Sequence, residues 1–206
     1  MFCKASDKVC IIGEQFLNKY KNKIENELKV NVVGAKIYNT NLIGLFCAFN
    51  SNGIILTKLS YKEEIPNFKR LFDNVLVLDS KYTAIGNLIL CNDKGAIISK
   101  KFNEKERKII EEVLNVETIR FKYANSNLVG SCGLATNKGC IVHKNTKESE
   151  IEKIKDILKV NVDIGTANLG SPHLGSCIIA NSNGLIVSEK TTAIEINRII
   201  EALGFA

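Results

Sequence analysis

Asn41-Leu42-Ile43-Gly44 running on to Gly53, Thr83-Ala84-Ile85-Gly86 running on to Gly95, Asn127-Leu128-Val129-Gly130 running on to Gly139, and Pro172-His173-Leu174-Gly175 running on to Gly184 are four versions of one segment. In each, the two glycines stand nine residues apart. A mostly apolar run follows the first glycine. A polar cluster precedes the second: Asn50-Ser51-Asn52, Asn92-Asp93-Lys94, Thr136-Asn137-Lys138 and Asn181-Ser182-Asn183. A glycine after such residues supplies the positive φ of a tight turn, and the apolar runs on either side supply two strands. The spacing therefore predicts four hairpins, with second strands at Ile54-Ile55-Leu56, Ala96-Ile97-Ile98, Cys140-Ile141-Val142 and Leu185-Ile186-Val187.

Beyond each hairpin, apolar residues recur at three and four: Ile65, Phe68, Leu71, Phe72; Ile109, Ile110, Val113, Leu114; Ile151, Ile154, Ile157, Leu158; Ile196, Ile199, Ile200, Leu203. That period marks a helix with one buried face. Asn103 with Glu106, Asn145 with Glu148 and Thr192 with Glu195 have capping-box spacing, and Pro66 fixes the start of the helix that contains it. A third strand follows at Val75-Leu78, Thr118-Phe121 and Val160-Ile164. Equivalent turn glycines lie 42, 44 and 45 residues apart, so the unit is strand, strand, helix, strand. Forty-five residues before Gly53 lies Lys8, and Ser6-Asp7-Lys8-Val9-Cys10-Ile11 matches Ser51-Asn52-Gly53-Ile54-Ile55-Leu56. The N-terminus thus reads as a fifth unit, with a helix through Phe16, Leu17, Tyr20, Ile24 and Leu28 and a last strand at Val30-Val33. One such unit cannot cover its own apolar surface, so neighbours must stack, and five copies are expected to close into a ring. The expected organisation is one α/β domain, 1–206, with repeats at about 1–37, 38–79, 80–122, 123–165 and 166–206.

Composition excludes little else. No apolar stretch reaches the roughly 20 residues of a membrane span, and the start of the chain lacks the apolar core of a secretory signal, so a cytoplasmic protein is expected. Seven cysteines, with no Cys-x-x-Cys pair and only His143 and His173 to add imidazole, read as reduced core residues and leave a metal site little to build on. The formal charge of +6 is dispersed among mixed-sign helix faces. It fits solvated helices and also attraction to a nucleic-acid-rich partner.

A cysteine nucleophile would need a neighbouring base. Cys177 follows His173 by four residues, on a stretch expected to be a strand, which separates the two by about 13 Å. Cys132 occupies the position equivalent to Cys177, which points to shared packing. His143 ends a second strand, as do Thr57, Ser99 and Ser188, and reads as a polar strand cap. No phosphate-binding loop is present, and no cofactor is expected. The loops from the third strand to the next glycine-marked segment are equivalent: Tyr38 to Asn41, Ser80 to Thr83, Ala124 to Asn127 and Thr166 to His173. In a cyclic array they share one rim, where a rigid scaffold usually concentrates binding. They carry Tyr38, Tyr82, Tyr123 and several asparagines, which fit either partner contacts or turn-making.

Three stretches carry a family resemblance: Gly165-Thr166-Ala167-Asn168-Leu169-Gly170-Ser171-Pro172-His173-Leu174-Gly175, Ala180-Asn181-Ser182-Asn183-Gly184-Leu185-Ile186-Val187, and the ending Ile199-Ile200-Glu201-Ala202-Leu203-Gly204-Phe205. With Leu128-Val129-Gly130-Ser131 and Ala84-Ile85-Gly86-Asn87, the whole chain resembles the translation initiation factor six family of archaea and eukaryotes. The resemblance implies a pentein fold, a five-fold pseudosymmetric α/β propeller. It also implies a monomeric, non-enzymatic factor that binds the intersubunit face of the large ribosomal subunit. The implied contacts are a ribosomal protein and rRNA near the sarcin-ricin loop; the implied effects are to block small-subunit joining and to serve large-subunit maturation. It places one contact at Asn87; Tyr82, Thr83, Asn41, Asn127, Ser131, Ser171 and His173 are expected contacts from rim placement. The short form, ending at Ala206, resembles archaeal members. Rival expectations are a guanidine-modifying hydrolase or transferase of the same fold, and a generic RNA-binding ring.

Overall fold

A computed structural model describes residues 1–206. It contains five small, separate sheets, four of three strands and one of two. The first group is β1 (Cys3–Ala5), β2 (Val9–Gly13), α1 (Glu14–Leu28) and β3 (Asn31–Ala35). The second is α2 (Ile43–Phe46), β4 (Cys47–Phe49), β5 (Gly53–Thr57), α3 (Ile65–Lys69) and β6 (Asn74–Leu78). The third is α4 (Ile85–Leu88), β7 (Ile89–Cys91), β8 (Ala96–Ile98), α5 (Glu104–Leu114) and β9 (Thr118–Arg120). The fourth is α6 (Val129–Cys132), β10 (Gly133–Ala135), β11 (Gly139–His143), α7 (Glu148–Leu158) and β12 (Asn161–Gly165). The fifth is α8 (Leu174–Cys177), β13 (Ile178–Ala180), β14 (Leu185–Val187) and α9 (Ala193–Ala202). In every group the first two strands are antiparallel; where a third exists, it runs parallel to the second.

Four expectations need correction. The glycine-marked segments do not begin as strands: each opens with a single helical turn, α2, α4, α6 or α8, and only then extends. A Cβ on Gly86 would overlap the carbonyl oxygen of Gly44, and one on Gly130 or Gly175 would overlap that of Gly86 or Gly130. These glycines are needed because successive helical turns cross backbone to backbone. The turn glycines, likewise, do not have positive φ; among glycines only Gly170 and Gly204 do. Instead, a Cβ on Gly53, Gly95, Gly139 or Gly184 would overlap the carbonyl oxygen of Val113, Ile157, Ala202 or Glu27, the helix end of the next group.

The N-terminal register is also one residue off. Ser6 N–H bonds to Val9 O at 2.9 Å as Asn50 N–H bonds to Gly53 O at 3.2 Å, so Val9, not Lys8, matches Gly53. A valine fits there because the helix it faces, α3, is only five residues long; Val9 packs with its buried Phe68 and with Phe72 just beyond it. Finally, the Asn145–Glu148 box does not form. Helix α7 starts at Glu148, and the carboxylate of Glu150 accepts the Lys147 N–H at 2.9 Å. The Asn103–Glu106 and Thr192–Glu195 boxes are both present.

Five apolar clusters form the core, and each joins one group to the next. Ala48 and Ile55 of the second group lie in the cluster of the third; Leu90 and Ile97 of the third lie in that of the fourth. Ile141 of the fourth lies in that of the fifth. Ile179 and Ile186 of the fifth pack against the cluster of the first, which returns the contact series to its start. Burying an isoleucine in this way contributes about 1.5–3 kcal/mol. No helix is long and apolar enough to cross a membrane.

Candidate functional site

The strand directions give the molecule two ends. Every middle strand starts at a polar turn and the helix that follows it returns to that end, whereas the loops that follow the third strands lie at the other. At the turn end the polar groups satisfy one another. Asn50 Nδ2 donates to Asn92 O (3.1 Å) and Leu114 O (2.9 Å), and Asn92 Nδ2 donates to Thr136 O (3.0 Å) and Leu158 O (2.9 Å). Asn181 Nδ2 donates to Leu28 O at 2.8 Å. Asn137 Nδ2 bridges the carboxylates of Asp7 (2.7 Å) and Asp93 (2.6 Å), which in turn accept from Ser182 and Ser51.

The loop end is built differently. Tyr38–Asn39, Ala124–Asn125 and Asn168–Leu169 are pairs of residues with positive φ, each forming a tight turn at the end of its loop. A glutamate from the same group's helical segment grips each. Glu64 accepts from Tyr38 N–H (2.9 Å) and Asn39 N–H (2.8 Å), and Glu150 from Ala124 N–H (3.1 Å). Glu195 accepts from Gly170 N–H (2.8 Å), Leu169 N–H (3.3 Å) and Thr166 Oγ1 (2.8 Å). Burial would raise the Glu195 carboxyl, but these bonds and those from Thr192 outweigh it and hold the carboxyl at about 2. In the third group no positive-φ pair forms and Glu106 serves only its own cap, so Ser80–Thr83 has no carboxylate grip. There Tyr82 stands edge-on to Phe102, with the Lys81 and Lys101 ammonium groups 5.1 and 5.4 Å from its ring centre.

The rim residues expected from the loops divide sharply. Ser131, Ser171 and His173 come together: Ser131 Oγ lies 3.3 Å from His173 Nδ1, and the Ser171 hydroxyl accepts from His173 N–H (3.4 Å). Asn87 is half-buried and lines a small cavity of about 30 Å³ between the crossing helical turns, beside Lys4 and Gly130. That space holds a water or two and is no ligand pocket. Tyr82 and Thr83 are half-buried beside it in sequence, in the ungripped loop. Asn41 is spent on structure, its Oδ1 accepting Gln15 N–H (3.2 Å) at the start of α1. Asn127 is half-buried, and its Oδ1 has no partner. Tyr123 is wholly enclosed and donates its hydroxyl to Val129 O, so it leaves the rim. His143 caps its strand as expected, Nδ1 accepting Asn145 N–H at 3.1 Å; burial lowers its pKa.

The strand that was expected to separate Cys177 from His173 is a helical turn, so the 13 Å estimate does not hold. The two side chains nevertheless bond elsewhere: Cys177 Sγ to Ser171 Oγ (3.6 Å), His173 to Ser131. Cys132 is buried, in keeping with packing.

What spacing did not reveal is how much apolar surface the loop end exposes. Of eight exposed large apolar side chains, Met1, Phe2, Tyr38, Tyr61, Leu128, Leu169 and Ile194 lie there, and only Tyr20 does not. Leu169 and Ile194 are 73% and 83% exposed. Their signal in the sequence was an apolar residue at a turn tip or helix start, where polar ones are usual. A sequence profile of the eIF-6 family matches residues 1–202. The chain belongs to the eIF-6 family. It is 43% identical over 211 residues to translation initiation factor 6 of Pyrococcus horikoshii, covering all of this chain and 93% of that protein. The Pyrococcus furiosus protein of the same name is 44% identical with the same coverage. That of Thermoplasma acidophilum is 43% identical over 172 residues, covering 83% of this chain and 78% of the relative. As a member of this family, the chain is a translation factor.

Proposed function

We propose that this eIF-6 family member is a monomeric cytoplasmic protein without catalytic activity, a single five-repeat pentein wheel. It binds the intersubunit face of the large ribosomal subunit through its loop end. Bound there, it keeps the small subunit away by occupying its place, and it also serves large-subunit maturation. The supporting observation is the gathering of exposed apolar side chains on one end of the molecule, whose other end consumes its polar groups internally. Gathered on one end, side chains such as Leu169 and Ile194 gain burial when a partner covers them. Lysines at the same end, among them Lys58, Lys81, Lys101 and Lys122, suit a partner rich in phosphate. Contacts fall to the ribosomal protein and rRNA near the sarcin-ricin loop, with Asn87, Tyr82, Thr83, Asn127, Ser131, Ser171 and His173 as contributors. Asn41 supports the rim from behind.

Gradient sedimentation with purified archaeal subunits tests the proposal. The protein travels with large subunits and lowers the joined-ribosome peak; equal binding to small subunits or to unrelated RNA would overturn it. Asn87→Arg weakens the co-sedimentation about tenfold while its thermal melting stays near that of the parent protein. Unchanged co-sedimentation would remove Asn87 from the contact.

A further inference from the structure

The seven cysteines are all free thiols, and two of them nearly touch. Cys3 Sγ lies 3.1 Å from Cys10 Sγ, inside the van der Waals separation of two sulfurs. The strand register explains the meeting. Ala5 of β1 faces Cys10 of β2, and Cys3, two residues before Ala5, stands on the same side of the sheet. Cys10 is fully buried, whereas Cys3 is half-buried and reachable from solvent. The Met1 amino group lies close to Cys3.

We propose that Cys3 and Cys10 are an oxidisable pair that forms an intramolecular disulfide with a low-molecular-weight disulfide as oxidant. Cys3 thiolate attacks one sulfur of the oxidant, forming a mixed disulfide and expelling one small thiolate. Cys10 then loses its proton and attacks the Cys3 sulfur; the Cys3–Cys10 bond forms and the second small thiolate leaves. The two protein thiols are oxidised, the small disulfide is reduced to two thiols, and the two thiol protons end on those products. The order follows from access, since Cys10 is fully buried and Cys3 is only half-buried. The hydrogen bond with Cys3, with burial added to it, also holds the Cys10 thiol well above the ordinary thiol range.

The bond would join β1 covalently to β2 at a particular place. Cys3 packs with Ile179 and Ile186 of the fifth group against the cluster of the first, the seam between the last and first groups. Met1 O accepts Gly44 N–H at 2.8 Å, so the same terminal segment also touches the second group. A strand of three residues is held by few ladder bonds, and the cross-link adds a covalent one.

The test is treatment of the folded protein with 2-hydroxyethyl disulfide, then alkylation in denaturant, intact mass and non-reducing peptide mapping. The expected result is loss of two alkylatable thiols out of seven, a Cys3-to-Cys10 linked peptide and no retained hydroxyethylthio group. Hydrogen exchange at Lys4 and Ala5 then slows, and a reductant reverses it. Cys10→Ala traps the mixed disulfide on Cys3; if that buried change unfolds the chain, Cys3→Ser serves instead and abolishes the reaction. Seven alkylatable thiols in the parent, a persistent mixed disulfide, or a bridge between other cysteines would overturn the proposal.

Discussion

The turn end and the loop end are made from the same repeated segment, yet they use it oppositely. At the turn end, Asn50, Asn92 and Asn181 are buried and pass hydrogen bonds from group to group, while Gly95 and its equivalents admit the neighbouring helix end. At the loop end, the glutamates hold the turns from beneath and the outward side chains stay free. The contrast separates a stabilising end from a presenting end. Substitutions at the first should change folding and leave recognition intact; those at the second should do the reverse.

The strongest way to break that separation is Gly95→Ala. The new methyl group meets the Ile157 carbonyl and costs about 3 kcal/mol by denaturant unfolding. Val9 shows that the position itself tolerates a side chain where the facing helix is short. A near-neutral Gly95→Ala would refute the close-approach account. Next in size, Leu169→Asp with Ile194→Asp should weaken large-subunit binding about tenfold, equivalent to ~1.4 kcal/mol, with stability changed by no more than about 0.5 kcal/mol. If binding holds, the presenting end lies elsewhere.

The smallest effect sharpens the role of the grip. Glu195→Gln should cost about 1 kcal/mol, measured by thermal melting, because an amide replaces a carboxylate among five donors. Its sign with pH is fixed. The folded carboxyl sits at about 2, below its ordinary 4.5, so its stabilisation is complete above roughly pH 4.5 and fades as pH falls toward 2. The Gln variant should lack that acid-dependent increment, and parent and variant should converge in stability near pH 2.

Much of this architecture was legible in the residues. The paired glycines, the polar clusters before them and the three-and-four spacing of Ile109, Ile110, Val113 and Leu114 report local geometry, so the hairpins and helices followed. The helical turns at Ile43–Phe46 and its counterparts did not, because a four-residue apolar run has no period that tells strand from helix. The reason for the glycines was hidden too, since it lies in a neighbour's carbonyl some 60 residues onward, from Gly53 to Val113. Without a glycine to anchor it, the first unit slipped by one residue against the repeat. At the candidate site, loop position alone could not separate Tyr123, which points inward, from Tyr38, which points out. Nor could it show Asn41 bonded to α1.

Hydrogen–deuterium exchange of the protein alone and bound to large subunits tests the central division most directly. The account predicts slowed exchange at residues 37–41, 80–85, 124–130 and 166–175, with the turns at 50–53, 92–95, 136–139 and 181–184 unchanged. Protection confined to those turns and the helix ends beside them would contradict it.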